Sequence, residues 1–210
     1  MSRIVSASPR GRAIDLLAPR VDQVDFPEIS SALAGINRYA GCVAVVTQPV
    51  SVALHTLIAL DAARAIGQPV DVLPYVLLHD APEARLGDQI CPWKRALHAE
   101  LTARLGERLA DEVDLAAHAI HHRHFEVICE AAGLAPPDER ALEFVKAADD
   151  LALVTERFWF LPAADEAWGR SLAHVAPMKK RPRWLPADKA ADALMERFRQ
   201  LLPVFRKHAA

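Results

Sequence analysis

Leu77-Leu78-His79-Asp80-Ala81-Pro82-Glu83, continued by Gly87-Asp88 and Pro92-Trp93-Lys94, decides how this chain is read. Tyr75-Val76-Leu77-Leu78 is an apolar run that leads straight into an adjacent His-Asp pair. One reading is a helix C-terminus, with His79 at the dipole and Asp80 capping the next turn. The chemical reading starts from burial. A carboxylate behind such a run must be paired or must bind a metal. Imidazole and carboxylate together bind divalent metals, and a divalent metal makes water a nucleophile near neutral pH. Glu83 stands three residues past Asp80, close enough to handle a proton on that water.

Outward from this stretch the pattern is helical almost throughout. A helix over about Val70–Asp80 carries Pro74 near its start, and a short helical piece follows Pro82. Upstream, residues 1–24 read as irregular, with Pro9, Gly11 and Pro19 as breakers. Asp25 is placed to cap a first helix through Ile29, Leu33 and Ile36 to about Arg38, ended by Gly41. Residues 42–50 are rich in valine and are either extended or an apolar connector. Ser51 is placed to cap a second helix that ends at Gly67. Downstream, residues 92–132 read as long helical material broken near Gly106, and Pro136-Pro137 open a helix to about Phe160. Residues 162–186 read as a loop with one short helix around Glu166–Leu172. A last amphipathic helix is expected over 187–206, with Ala191, Leu194, Phe198, Leu201 and Leu202 on one face. With strand signals nearly absent, the expected fold is all-α: a helical bundle over residues 1–161, and a loop-and-helix extension over 162–210 that packs on it.

The same helical spacing picks out partners for the His-Asp pair. His55 shares a face with Val52, Ile58, Ala59 and Ala62, so it points inward. Alone it reads as a core histidine; beside His79-Asp80 it reads as a ligand. In Lys146-Ala147-Ala148-Asp149-Asp150, Asp149 shares a face with Leu142, Val145, Ala152 and Leu153. Asp150 sits four residues from Lys146 and is expected to form a solvated ion pair. Asp149 is then either a fourth ligand or a buried carboxylate held by an arginine. Glu156 lies two turns further on the same face, where it can support a ligand. Two imidazoles and two carboxylates suit one divalent transition metal: Mn, Co, Ni, Fe(II) or Zn.

The order His…His-Asp…Asp resembles the HD-domain metal-dependent phosphohydrolases. Segment 77–94 (LLHDAPEARLGDQICPWK) resembles the matching segment of the small 5′-deoxynucleotidase-like group, which includes phage dATP triphosphohydrolases. Ile36–Gly41, Ser51–His55 and Lys146–Asp149 fit the same pattern, and the resemblance covers roughly residues 10–160. It implies an HD-type helical bundle with His55, His79, Asp80 and Asp149 as metal ligands. It implies Glu83 as the residue that orients or deprotonates the attacking water, and Asp88 as a second carboxylate near the sugar and leaving group. It implies Arg38 and Lys94 as contacts to phosphate; Tyr39 or Trp93 is placed to stack on a base. Each of these four, and Asp88, also has a structural reading: Asp88 as a turn cap, Arg38 as a helix C-terminal cation, Lys94 as a solvated side chain, the aromatics as core. The implied activity is hydrolysis of (deoxy)nucleotides, as a 5′-nucleotidase or a dNTP triphosphohydrolase. The competing classes are an HD phosphodiesterase and a non-catalytic nucleotide-binding module.

Composition fits this reading and narrows the partners. Of 210 residues, 52% are hydrophobic, and the net charge of −2 gives no basic excess for a nucleic-acid partner. Cys42, Cys91 and Cys129 have no CxxC spacing and read as reduced thiols. Met1–Arg12 is polar and carries three arginines, unlike a signal peptide, and no apolar run is long enough for a membrane span. A cytoplasmic protein is therefore expected. The C-terminal helix and the 42–50 segment are expected to support a homo-oligomer, a dimer first. His118, His121, His122 and His124 read as a solvated face, and Lys179-Lys180-Arg181 as a solvated loop.

Overall fold

Ser51 sets the centre of the fold. Its hydroxyl accepts a hydrogen bond from the Leu54 amide at 3.2 Å and starts α2, Val52–Ala65. Val52, Ala53, Leu54, His55, Ile58, Ala59, Leu60 and Ala62 are all buried, so α2 is covered on nearly every side. Its neighbours are α1 (Phe26–Gly35), α3 (Leu73–Leu78), α7 (Glu139–Phe160) and α8 (Ala187–Leu201). A computed structural model gives this arrangement and describes residues 3–8, 11–42, 48–162 and 172–206. Among the described residues the fold is all-α apart from two short strands.

The sequence signals for helix starts and stops are largely realised. Asp25 caps α1 by accepting from the Glu28 amide at 3.1 Å, and Asp138 caps α7 by accepting from the Ala141 amide at 2.7 Å. Pro74 falls in the first turn of α3, where no intrahelical donor is needed, so it starts that helix rather than interrupting it. A four-residue turn of helix, α4 (Glu83–Leu86), ends at Gly87, whose φ is +79°. Gly106 separates α5 (Cys91–Leu105) from α6 (Glu107–Ala132).

Three expectations are corrected. Residues 1–24 are not wholly irregular: β1 (Val5–Ala7) pairs antiparallel with β2 (Ala13–Asp15), Val5 opposite Asp15. The first helix stops at Gly35 and does not reach Arg38. The backbone is captured there by the segment before α2: Arg38 N–H donates to Val50 at 2.8 Å, and Val52 N–H donates to Ile36 at 2.9 Å. The last helix is split, because Leu202 turns extended and Pro203 opens α9, Pro203–Arg206.

The extension supplies core rather than a free face. Leu194, Phe198 and Leu202 are fully buried in the same cluster as Leu33, Leu54 and Leu78. Trp184 Nε1–H donates to the Pro49 carbonyl at 3.1 Å. The apolar face of the C-terminal helix is thus packed into the core of the same chain. Residues 166–171 of the expected short helix at Glu166–Leu172, and residues 43–47 of the 42–50 segment, lie outside the described residues. No helix among those described is long and apolar enough to cross a membrane.

Candidate metal centre

His55 sits in the first turn of α2 and is fully buried. Its Nδ1 lies 2.7 Å from Glu156 Oε1, so Nδ1–H donates and Nε2 keeps its lone pair. His79 follows the last residue of α3. Its Nδ1 donates to the Val76 carbonyl at 2.7 Å, which leaves its Nε2 as the second acceptor. The two Nε2 atoms are 3.3 Å apart. Asp80 Oδ2 lies 3.4 Å from His55 Nε2 and 3.3 Å from His79 Nε2. Asp149, from the middle of α7, brings Oδ1 to 3.1 Å from His55 Nε2 and 4.0 Å from His79 Nε2.

These spacings fit a divalent ion. Metal–ligand bonds of about 2.1 Å put adjacent ligand atoms about 3.0 to 3.4 Å apart. His55, His79 and Asp80 form a group that can hold a metal, with Asp149 against both imidazoles. The electrostatics agree. Burial and Arg38 oppose a charged His55, yet Glu156 and Asp149 outweigh them and push it up to about 10. His79 is raised in the same way, by Asp80 against burial. Burial works against an ionised Asp80 as well, but both imidazoles and Arg38 hold it well below the usual carboxylate range. Asp149 is lowered to about 2, His55 and His79 outweighing its burial. The centre is therefore built to hold positive charge, carried by protons on the imidazoles or by a cation that displaces them.

Glu83, the first residue of α4, differs from the four donors. Its Oε2 is buried with no hydrogen-bond partner among the described residues. Burial, then the charges of Asp80 and Asp88, push its carboxyl up to about 9. Asp88, just past the Gly87 turn, is raised too, chiefly by burial. A carboxyl that keeps or takes a proton near neutral pH is suited to acid–base work.

The basic and aromatic candidates divide. Arg38 is 13% exposed and lies 3.4 Å from both Asp80 Oδ2 and Glu156 Oε2. It is not a helix C-terminal cation, since α1 has already ended. A left-handed turn aims it inward: Tyr39 and Ala40 have φ of +57° and +53°, and Gly41 follows at +75°. The Tyr39 hydroxyl donates to Glu156 Oε2 at 2.5 Å, which ties the ring to the carboxylate that also holds His55. Trp93 and Lys94 fall in the first turn of α5 and are exposed; the charge of Lys94 reaches Asp88.

Two side chains on α6 depart from the solvated-face expectation. His124 is fully buried, its Nε2–H donating to the Leu16 carbonyl at 3.0 Å and its Nδ1 3.4 Å from Arg85 Nη1. Its spacing with Phe125, Ile128, Cys129 and Ala132 was the signal that it belongs to the core face. His121 is half-buried, and burial lowers its pKa while the charges of Asp80, His79 and Lys94 act on it. His118 and His122 are exposed as expected, as is the Lys146–Asp150 ion pair.

No family model matches the chain. It is similar to an uncharacterized protein of Rhodobacter capsulatus, 38% identical over 102 residues that span 45% of this chain and 50% of the relative. The match thus covers about half the length of that protein.

Proposed function

We propose that this chain is a metal-dependent phosphohydrolase of the HD-domain kind, acting on (deoxy)nucleotides. The observation that carries the reading is the juxtaposition of two chemistries. His55, His79 and Asp80 converge within 3.3–3.4 Å of one another, Asp149 lies 3.1 and 4.0 Å from the two imidazoles, and Glu83 presents an unpartnered buried carboxyl oxygen close to Asp80 in sequence and in charge. The four donors would hold one divalent ion: Mn, Co, Ni, Fe(II) or Zn. When bound, such an ion supplies a Lewis acid and lowers the pKa of water.

The side chains of the protein do the rest. Glu83, in its ionised form, orients the attacking water and accepts its proton as oxygen bonds to phosphorus. Glu156 and Tyr39 fix the ring of His55 so that Nε2 faces the donor group. Arg38, already beside Asp80, moves its charge to the phosphate oxygens, and Lys94 reaches them from the rim. Asp88 faces the sugar and leaving group, and Trp93 offers an exposed ring for a base. With a monophosphate the ester P–O bond breaks to give nucleoside and orthophosphate. With a dNTP, attack at the α-phosphorus gives deoxynucleoside and triphosphate.

The test is product analysis with metal-stripped protein, each ion added back in turn, on NMPs, dNMPs and dNTPs. Orthophosphate from monophosphates identifies a 5′-nucleotidase, and intact triphosphate identifies a triphosphohydrolase. No phosphate product with any ion contradicts the proposal.

A further inference from the structure

We infer that His121 of α6 is a further substrate-contacting residue, its imidazole hydrogen-bonding a hydroxyl of the nucleotide's sugar beside Asp88. This role presupposes the phosphohydrolase proposed above. Four histidines crowd one stretch of α6, and three of them are engaged. His124 is bonded through both nitrogens, His122 Nδ1 lies 3.4 Å from Glu126 Oε2, and His118 stacks on His122 with ring centroids 6.1 Å apart. His121 is half-buried, yet it has no hydrogen-bond, ion-pair or ring partner among the described residues. Polar groups taken partly out of water normally find partners, so two idle ring nitrogens point to a ligand.

Two helices fix where that ring stands. His98 Nδ1 lies 2.8 Å from Asp114 Oδ2, which sets the register of the antiparallel α5–α6 hairpin. Two turns on, toward the start of α5 and the C-terminus of α6, Cys91 comes level with His121. Two turns restore nearly the same facing, so His121 lies on the side of α6 turned to α5, as Asp114 does. By the same rotation it lies in line with Ile128, which is fully buried. His121 therefore sits where α6 leaves the core and meets the start of α5. Cys91 directly follows Asp88-Gln89-Ile90, so this place borders the loop that carries Asp88.

The electrostatics agree with that placement. The charges of Asp80, His79 and Lys94 all act on the ring. α6 packs on α3 and α5, whereas His55 and Asp149 come from α2 and α7. His121 thus approaches the centre from the α3 side, where Asp80 and Asp88 lie. A phosphate held at the donor group and Arg38 leaves that side for the group esterified to it. In a nucleotide that group is a sugar. Burial lowers the pKa of His121, so near pH 7 its ring is neutral, with one nitrogen donating and the other accepting. A sugar hydroxyl, which likewise donates and accepts, matches it.

Calorimetric binding of the four dNMPs and of phenyl phosphate to the Mn-loaded Glu83→Gln chain tests this, since slow turnover leaves substrate intact. Adding His121→Ala should weaken dNMP binding about 5- to 10-fold, the worth of one neutral hydrogen bond, and leave phenyl phosphate, which has no sugar, within about 2-fold. His121→Asn keeps a donor and an acceptor and should recover part of the loss. With Glu83 intact, His121→Ala should raise KM by the same factor and leave kcat little changed. Unchanged dNMP affinity in His121→Ala overturns the inference and leaves the proposed function standing. Equal loss of dNMP and phenyl phosphate also overturns it, by giving His121 a structural role. No dNMP binding with His121 in place overturns the proposed function and the inference with it.

Discussion

Glu83 and His124 are both buried polar side chains, and they illustrate opposite uses of burial. Glu83 leaves one carboxylate oxygen without a partner, a state that costs stability unless something else needs it. Replacing it with glutamine should keep metal binding and lower turnover about 10²- to 10⁴-fold, read by steady-state kinetics beside metal titration. An active Glu83→Gln enzyme would remove Glu83 from the mechanism. His124 is satisfied on both nitrogens and serves as structure. Burial lowers its pKa, so the folded protein resists protonating it, and protonation would set it against Arg85. A histidine with a folded pKa below its unfolded value of about 6.5 adds stability that is full above that pH and lost as pH falls through it. Urea titrations between about pH 7.5 and pH 5 should therefore show a steeper acid loss in wild type than in His124→Gln. Equal slopes would show that His124 does not carry the acid sensitivity.

At the level of elements, each donor is delivered by a different local device. Ser51 caps α2 and so places His55; Ser51→Ala should cost about 1 kcal/mol in urea unfolding and loosen metal binding together. Asp138 caps α7, which carries Asp149 and, two turns on, Glu156. These were legible in the chain because caps and apolar periodicity are local signals. His79-Asp80 and Glu83 were legible for the same reason, as they lie within five residues of one another. What was not legible depended on distant pairing. Nothing near Ile36 announces that residues 36–38 will bond to residues 50–52 and end α1 early. The left-handed conformation of Tyr39 and Ala40 follows from that capture, not from their own preferences. Each left-handed residue with a side chain costs about 1–2 kcal/mol, so Ala40→Gly should be neutral or raise stability by up to about 1 kcal/mol. A loss of stability on that change would mean that the turn is not strained. His124 was misread because the dense histidine run hid a core spacing that only its contacts with distant Leu16 and Arg85 make visible.

Across the whole molecule, the centre joins α2, the end of α3, and α7, while α8 closes the core behind them. An ion bound there ties together segments nearly a hundred residues apart, so it should stabilise the entire fold and not one loop. Free metal at 100 times its dissociation constant should add about 2.7 kcal/mol, seen as a rise in Tm on adding the ion to stripped protein. The central claim is the centre itself, and its most direct measurement is calorimetric titration of metal-stripped protein with Mn or Co. The account predicts one ion per chain, with affinity lost in His55→Ala or Asp80→Asn and reduced about 10- to 100-fold in Glu156→Gln. An absence of binding, or binding that these substitutions leave unchanged, would contradict it.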